Sequence, residues 1–448
     1  MSPPRGRPKE GSLPLGGKAR SATGAPIFPP RGRPKEGSAL QAAPSRDATP
    51  LPFVHPRAGG DGAADLSPLG GKARSAKGAP VDVPPRRRQF LIGAAGAASL
   101  LGAPAKSGTP QHRLRFQSTW PAKDIFHEFA NDFARKVNDM SSGRLRIDML
   151  PAGAIVKPFN VLEAVDSGIL DGAHGSLAYG ASKNSAMALW GSGPAFGMSS
   201  NMVLAWHAYG GGRELLQEIY RSLNLEVESF VYGPMPMQPL GWFRTPITRP
   251  EDLRGLRFRT VGLSIDMFTE MGAVVHALPA AEIAAAMDRG LLDAAEFNNP
   301  TSDRILGLTD VAKVCMLRSF HQSAENFEVL FNSRVFDQLS DDLKAIVGYA
   351  VQAASADMSW KAIDRYSNDY QHMVRRQGVR FDKTPDSVLQ AQLDAWDIVT
   401  EKRSRQNPMF RTVQESMRAF AERATHWHVD TNVDHRMAWD HFFNPGKT

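Results

Sequence analysis

The sequence has a single cysteine, Cys315, among its 448 residues. One thiol cannot form an intramolecular disulfide, and it leaves no cysteine cluster that could hold zinc or an iron–sulfur centre. The chain also lacks a Gly-rich phosphate loop, a His-Glu-x-x-His helix and a Gly-x-Ser-x-Gly turn. No segment after residue 105 is apolar over the about 20 residues that a membrane-spanning helix needs. These absences leave no motif that would assign an enzyme class.

Positive charge is concentrated at one end of the chain. The net charge is +7, but residues 1–105 hold 16 Lys and Arg against 6 Asp and Glu, which leaves 37 against 40 for residues 106–448. A mildly acidic folded part is unsuited to binding nucleic acid, so we expect no nucleic acid partner.

Residues 1–80 are rich in Pro, Gly, Arg and Lys, and their sequence repeats itself. The ten residues at 3–12 recur without change at 29–38. Such a composition buries too little apolar surface to offset its chain entropy. We predict either a disordered extension or an upstream region translated from a misplaced start codon. We prefer the second because an export signal follows; a basic arm for nucleic acid is the functional alternative.

Residues 81–105 have the order of a bacterial Tat-type signal peptide. Arg87 and Arg88 precede a weakly apolar run over 92–101, and Ala103-Pro104-Ala105 supplies a small-residue cleavage pattern. The alternative interpretation is a basic linker before a buried helix. The sequence predicts export to the periplasm, a compartment that suits a chain with one cysteine.

Two pairs of segments in the remaining chain are offset copies of each other. Leu114–Ser118 matches Leu256–Thr260, and Ala164–His174 matches Ala286–Glu296. Each half therefore predicts strands alternating with helices, the plan of a parallel sheet covered by helices on both faces. We predict an α/β protein with two βαβ-type lobes around a ligand cleft, followed by long C-terminal helices.

The predicted boundaries follow the breaks between periodic segments. Lobe I covers 106–235, lobe II covers 236–332, and helices over 333–448 pack on both lobes. The Gly- and Pro-containing residues 233–237 are the predicted hinge between the lobes.

Ligands of such sheets lie beyond the carboxyl ends of the strands, so residues that end matching strands are the first cleft candidates. These are Gln117, Ser118 and His174 in lobe I, and Arg259, Thr260 and Glu296 in lobe II. The planar fork of Arg259 can hold a carboxylate through two parallel hydrogen bonds, or it can pair with an acidic neighbour. A buried Glu296 needs a partner, either Arg259 or a bound cation, because an unpaired buried charge is costly.

Two further side chains belong to the predicted cleft. Gln238, at the start of lobe II, can offer its amide oxygen to a hard cation such as sodium or calcium. Tyr179 follows the third strand of lobe I on a loop that should border the cleft, with packing as its alternative role.

Three segments resemble the solute-binding proteins of TRAP transporters, the DctP family. They are Met-Gln-Pro-Leu-Gly-Trp-Phe-Arg at 237–244, Pro-Glu-Asp-Leu-Arg-Gly-Leu-Arg-Phe-Arg at 250–259 and Leu-Asp-Ala-Ala-Glu-Phe at 292–297. The resemblance covers about 112–442, and the nearest branch binds 2-oxo acids and related carboxylates. It implies a fold like that of periplasmic binding proteins, with Arg259 pairing with the substrate carboxylate. It also implies a metal cation, sodium or calcium, that bridges substrate and protein and is held by Gln238, Glu296 and the backbone carbonyl of Phe297.

The chain departs from that branch at two places. Phe297 replaces a tryptophan that usually follows the glutamate, and Asn299 after it is a further candidate substrate contact. A stretch that is rich in tryptophan in the branch is here Phe-His-Gln-Ser-Ala-Glu at 320–325. Its Glu325 is a candidate second acidic contact.

The resemblance implies the periplasmic solute-binding subunit of a TRAP transporter. It would capture a small carboxylate, a 2-oxo or hydroxy acid, and deliver it to the membrane permease, with no catalytic cofactor. The alternatives are a Tat-exported enzyme acting on a carboxylate and a ligand receptor feeding a signalling protein. The helical region from 386 to 442 is longer than two lobes need, which suggests either a homodimer contact or a plain C-terminal cap.

Overall fold

Two mixed sheets form the framework of the protein. The computed structural model describes residues 111–444, and its strands in that range are β1 (His112–Ser118), β2 (Leu145–Leu150), β3 (Gly172–Ser176), β4 (Val227–Met235), β5 (Gly241–Phe243), β6 (Arg257–Arg259), β7 (Val274–His276), β8 (Ala294–Ala295), β9 (Val314–Leu317), β10 (Glu325–Asn332) and β11 (Arg380–Lys383). The α-helices of the same range are α1 (Ile125–Met140), α2 (Val161–Asp166), α3 (Ser200–Tyr209), α4 (Gly212–Ser222), α5 (Ser264–Glu270), α6 (Ile283–Asp288), α7 (Pro300–Ile305), α8 (Leu308–Val311), α9 (Ser333–Asp337), α10 (Asp341–Gln377), α11 (Asp386–Gln406), α12 (Pro408–Thr431) and α13 (His435–Phe443). The predicted extension 1–80 and signal peptide 81–105 lie outside the described residues.

The repeated segments occupy equivalent places in the two sheets. The first sheet has the strand order β2-β1-β3-β10-β4, and the second has the order β11-β9-β5-β8-β6-β7. β1 pairs in parallel with β2 and β3, as β6 does with β7 and β8. The predicted α/β fold with two βαβ-type lobes is therefore confirmed. We call the first sheet with its helices lobe I and the second sheet with its helices lobe II.

The chain crosses between the lobes three times, whereas the predicted boundaries, with one continuous segment for each lobe, allow one crossing. β10 pairs antiparallel with β3 and β4 in lobe I, although it falls within the predicted lobe II, 236–332. β11 pairs with β9 in lobe II, although it falls within the predicted C-terminal helices, 333–448. Each sheet is completed by strands from distant parts of the chain, which no single boundary can describe.

Two short crossing segments, 236–240 and 318–324, connect the sheets, and the longer stretch with α9 and α10 connects them a third time, from β10 to β11. The first runs from β4 to β5 and the second from β9 to β10. The predicted hinge at 233–237 is shifted toward the N-terminus, because residues 233–235 still belong to β4.

Local sequence explains how α1 and α10 are fixed. The carboxylate of Asp124 caps α1 by accepting the backbone N–H of Phe126 at 2.8 Å, and the apolar stripe of α1 is buried. α10 ends at Gln377 and is capped by Gly378, whose φ of 65° favours glycine. α10 contacts α1 and β4 in lobe I, and it contacts α7, which follows β8 of lobe II. One long helix thus touches both lobes.

The later helices leave an apolar surface uncovered. α11 packs on α5 of lobe II, and α12 packs on α3 and α4 of lobe I. α13 buries no residue. Large exposed apolar side chains along this end of the described chain are Trp427, Val429, Val433, Met437, Trp439, Phe442 and Phe443. None of the described helices is long and apolar enough to cross a membrane.

Glu328 of β10 is a buried acid away from the strand ends of lobe II. Its Oε1 accepts hydrogen bonds from the hydroxyls of Tyr220 and Ser229, both at 2.5 Å. Burial raises the pKa of Glu328 to about 7, and these two hydrogen bonds only partly oppose the effect.

We expect Glu328→Gln to make the free energy of unfolding less dependent on pH. Between about pH 4, where an unfolded glutamate ionises, and about pH 7, the folded state keeps a proton that the unfolded state has lost. Stability from this group is therefore present below about pH 4 and lost as the pH rises through 7, by about 1.4 kcal/mol for each pH unit. Glutamine keeps the acceptor oxygen and cannot titrate. Urea unfolding of both proteins at pH 5 and pH 8 measures the difference; equal slopes would contradict the assignment.

Candidate functional site

A small buried cavity lies where the crossing segments meet the strand ends of lobe II. Its lining residues are Trp120, Phe126 and Tyr179 from lobe I, Met235, Gln238, Gln322 and Glu325 from the crossing segments and the strand ends beside them, and Arg259, Val261, Glu296, Phe297 and Asn298 from lobe II. The cavity volume is about 20 Å³, which is room for one water-sized group. A solute of several heavy atoms needs more room than this, so the cavity must widen when it binds.

Arg259 ends β6, and its side chain is almost fully buried. Nε and Nη2 donate to the carbonyl oxygen of Leu278 at 2.9 and 2.8 Å. Nη1 donates to Glu296 twice, to carboxylate Oε1 at 2.9 Å and to the main-chain carbonyl at 3.2 Å. The guanidinium carries five N–H groups, so the second N–H of Nη2 has no acceptor among the described residues. Arg259 is held rigidly and keeps one donor for a ligand.

Glu296 directly follows β8, and its exposed fraction is 0%. One carboxylate oxygen accepts from Arg259, whereas Oε2 has no hydrogen-bond partner within the described chain. Burial raises the pKa of Glu296 above its ordinary value, with the charge of Arg259 and the nearby hydroxyl of Thr260 acting in the opposite direction. A buried carboxylate oxygen without a donor is costly, and a bound cation would compensate for it.

Gln238 and Gln322 come together because the crossing segments touch. The backbone N–H of Gln238 donates to the carbonyl of Gln322 at 3.3 Å. The side-chain Nε2 of Gln238 donates to Oε2 of Glu325 at 2.8 Å, and that of Gln322 donates to the carbonyl of Gly191 at 3.0 Å. Both amide oxygens are buried without a partner in the described part of the chain.

Glu325 is the second carboxylate of the cavity. Its Oε1 accepts from the hydroxyl of Ser176 at 2.6 Å, and its Oε2 accepts from Gln238. Burial raises the pKa of Glu325 to about 7, and Glu296 acts in the same direction. The predicted second acidic group is thus located at the cavity.

Aromatic rings form the lobe I side of the cavity. Trp120 and Phe126 meet edge to face with ring centroids 5.1 Å apart, and Phe126 lies 5.9 Å from Phe297. The guanidinium carbon of Arg259 lies over the ring of Phe297, 5.7 Å from the ring centroid. Burial raises the pKa of Tyr179, so its hydroxyl stays protonated and can donate. The cavity thus combines an apolar wall with one positively charged side chain, Arg259, and several oxygen acceptors.

A comparison with protein families decides the assignment. The model of the bacterial extracellular solute-binding proteins of family 7, DctP, matches residues 116–406. The chain belongs to the DctP family.

Individual DctP-like proteins agree with this result. The chain is 30% identical over 323 residues to the monocarboxylate 2-oxoacid-binding periplasmic protein of Nostoc sp., which covers 72% of this chain and 87% of the relative. A TRAP periplasmic solute-binding protein from Pseudoalteromonas atlantica, solved with bound sodium and pyruvate, is 26% identical with a TM-score of 0.68 over 74% of this chain and 99% of its own. One from Colwellia psychrerythraea, solved with bound calcium and pyruvate, is 26% identical with a TM-score of 0.69 over the same shares.

Six of the seven predicted contact residues line the DctP cavity. They are Tyr179, Gln238, Arg259, Glu296, Phe297 and Glu325. Asn299 does not line it, and the prediction for this residue needs correction. Its Oδ1 accepts the backbone N–H of Ser302 at 2.9 Å and caps α7, while Asn298 faces the cavity instead.

The strand ends of lobe I also differ from the prediction. Gln117 bonds the backbone of Ile155 and Val156, with its Oε1 accepting from Ile155 at 2.8 Å. His174 Nε2 lies 2.6 Å from the Tyr232 hydroxyl. Neither side chain lines the cavity, because lobe I covers it with aromatic rings from beyond its strands.

Gln322 was missed as a cavity residue. Its only signal in the sequence is a polar residue close before β10, a strand that is buried at every position. Phe126 was missed because aromatic residues at helical spacing are typical of a core, and Trp120 was missed because it lies before α1 and belongs to no periodic pattern.

Proposed function

We propose that this DctP-family protein captures a small monocarboxylate, with 2-oxo acids as the first candidates, together with a sodium or calcium ion. The observation that carries the proposal is the set of buried oxygens without a donor among the described residues, Gln238 Oε1, Gln322 Oε1 and Glu296 Oε2, around one cavity. Hard cations prefer such oxygen ligands. The relatives that bind a 2-oxoacid, or pyruvate with sodium or calcium, support the same choice of ligand.

Arg259 and the cation would share the negative charge of the solute. Leu278 and Glu296 hold the guanidinium, and its free Nη2 N–H is available to a solute carboxylate. The cation would be held by Gln238, Glu296 and the backbone carbonyl of Phe297, and it would screen Glu296 from the bound anion. Without a cation, the solute carboxylate and Glu296 would repel each other in a buried site.

Separation of the lobes would admit the solute. The closed form is held by the hydroxyl of Ser302 in α7, which donates to Asp124 at the start of α1 at 2.9 Å. The crossing segments 236–240 and 318–324 are the connections that could act as hinges. Because Gln238 and Gln322 lie on these segments, ligand binding and closure would involve the same residues.

The partners follow from the family. We propose delivery to TRAP membrane permease subunits after export to the periplasm by the Tat-type signal peptide predicted from the sequence. The predicted homodimer remains a proposal, which the exposed apolar residues of α12 and α13 support.

A thermal-shift screen tests the ligand class. We expect the melting temperature of the full chain to rise with a 2-oxo acid such as pyruvate only when sodium or calcium is present. A ligand at about 100 times its dissociation constant stabilises the folded state by about 2.7 kcal/mol. Hydroxy acids and sugar acids serve as comparison ligands. A shift of equal size in a chelated, sodium-free buffer would contradict the bridging cation, and no shift with any monocarboxylate would contradict the function.

A further inference from the structure

The amide group of Gln322 is oriented by its neighbours. Its side chain is 1% exposed, and Nε2 donates to the carbonyl of Gly191 at 3.0 Å and to Oε2 of Glu325 at 3.4 Å. A carbonyl and an ionised carboxylate only accept hydrogen bonds, so the nitrogen of the amide must face them. The amide oxygen of Gln322 is therefore on the side of the cavity, and no described residue donates a hydrogen bond to it.

Glu325 orients the second amide in the same way. Its Oε2 accepts from Nε2 of Gln238 at 2.8 Å, which leaves the oxygen of Gln238 without a partner in the described chain. The hydroxyl of Ser176 holds the other oxygen of Glu325 at 2.6 Å. A Cβ atom at position 191 would lie 2.9 Å from Cγ of Glu325, so the glycine makes room for this side chain. One carboxylate therefore turns two amide oxygens toward one space.

The oxygens available in this space match the needs of calcium. The side-chain oxygens of Gln238, Gln322 and Glu296 and the backbone carbonyl of Phe297 are four protein ligands. The carboxylate and the oxo group of a 2-oxo acid add two more, and calcium takes about 6–8 oxygens.

The charges of the cavity also distinguish the two cations. Arg259 supplies one positive charge opposite the two carboxyl groups of Glu296 and Glu325, all in side chains that are 5% exposed or less. A bound monocarboxylate adds a third carboxyl group, and a cation beside these groups favours the ionised form of all three. A divalent cation then makes the closed site neutral, whereas a monovalent cation leaves one uncompensated negative charge, which is costly when buried.

We infer that Gln322 is a further cation ligand and that Glu325, which orients both glutamines and adds a negative charge, makes this site select calcium over sodium. The inference rests on the proposed capture of a monocarboxylate with a cation and names the cation. Glu325 is a positioning residue here, because it acts through Gln238 and Gln322.

Isothermal titration of the full chain, first stripped of metal with a chelator, tests this inference. Calcium is titrated alone and in the presence of pyruvate, and sodium is compared in the same buffer. We expect calcium to support pyruvate binding at far lower concentration than sodium. Glu325→Gln should weaken calcium binding about 10- to 100-fold, as is typical for residues that orient metal ligands, and should change sodium-supported binding much less. Gln322→Met, which removes the oxygen and keeps the length, should also weaken calcium binding.

Two further variants keep the result interpretable. Glu325→Asp retains the charge and should keep the preference for calcium even if affinity falls. Glu328→Gln is the matched control, because it makes the same change at a buried position of the same strand that does not line this cavity, and it should leave calcium binding unchanged. Circular dichroism and the melting temperature establish that each variant is folded.

The outcomes separate this inference from the proposed function. If pyruvate binds with a cation but Glu325→Gln leaves the ratio of calcium to sodium affinity unchanged, the inference fails and the function stands. If calcium alone binds and Gln322→Met loses it, while no monocarboxylate binds, the inference stands and the function fails. Calcium affinity in Gln322→Met equal to that of the unchanged protein would overturn the ligand assignment.

Discussion

Arg259→Ala is expected to abolish binding of carboxylates. The guanidinium is fixed by Leu278 and Glu296 and offers its free N–H to the cavity. That one charge-assisted hydrogen bond contributes about 1.5–3 kcal/mol, so its loss alone lowers affinity on the order of 10- to 10²-fold, and loss of the buried positive charge opposite the solute lowers it further. Isothermal titration with pyruvate in the presence of calcium measures the loss.

The same change is expected to destabilise the fold, which the sequence did not indicate. Arg259 and Glu296 are each 1% exposed at the side chain, and removal of one partner of a buried ion pair costs about 3–5 kcal/mol. The double variant Arg259→Ala, Glu296→Gln should recover part of this stability and still not bind.

A matched control for Arg259 lies in the same strand. Arg257→Ala removes a surface pair with Asp293 whose side chains are 44% and 35% exposed, so affinity should change little. Full binding by Arg259→Ala, with Arg257→Ala also unchanged, would refute the assignment of Arg259.

Repeats and periodicity predicted the parallel part of each sheet. β1, α1 and β2 are recognisable in the sequence because their apolar residues recur at the spacing of a strand or of a helix. β5 and β9 span only three or four residues, which is too short for a period to appear. Their pairing is decided by the other strands of the sheet, and sequence position alone does not contain that information. β8 spans only Ala294–Ala295, because only those residues pair with neighbours on both sides.

The site was predictable where it depends on strand ends and not where it depends on the covering lobe. Arg259 and Glu296 follow from the rule for the carboxyl ends of parallel strands. The same rule failed in lobe I, where Gln117 and His174 make structural hydrogen bonds. Asn299 precedes Pro300, and this Asn-Pro pair is typical of a helix cap, a signal that could have corrected the prediction. The orientation of Gln238 and Gln322 depends on contacts across the crossing segments, which only the fold creates.

Glu296→Gln is expected to remove the dependence of binding on the cation. The amide oxygen can still accept from Arg259, but the amide nitrogen then replaces Oε2, which is the oxygen without a partner in the described chain. An N–H directed at a cation has no lone pair to offer, and one negative charge is lost from its surroundings. Calcium-supported affinity for pyruvate should fall by about 10- to 100-fold or more, because loss of a direct ligand costs at least as much as loss of a residue that orients one.

The affinity of the Glu296→Gln variant for the solute should also be measured without a cation. In this variant the carboxylate of Glu296 no longer neutralises Arg259 and no longer repels the carboxylate of the solute. Cation-free affinity should therefore stay equal or rise, so that titrations with and without calcium converge. Glu328→Gln, with the same change in charge at a buried site that does not line the cavity, should keep the original dependence on calcium. A Glu296→Gln variant that still needs calcium would show that other oxygens hold the ion, and would turn the assignment toward Glu325.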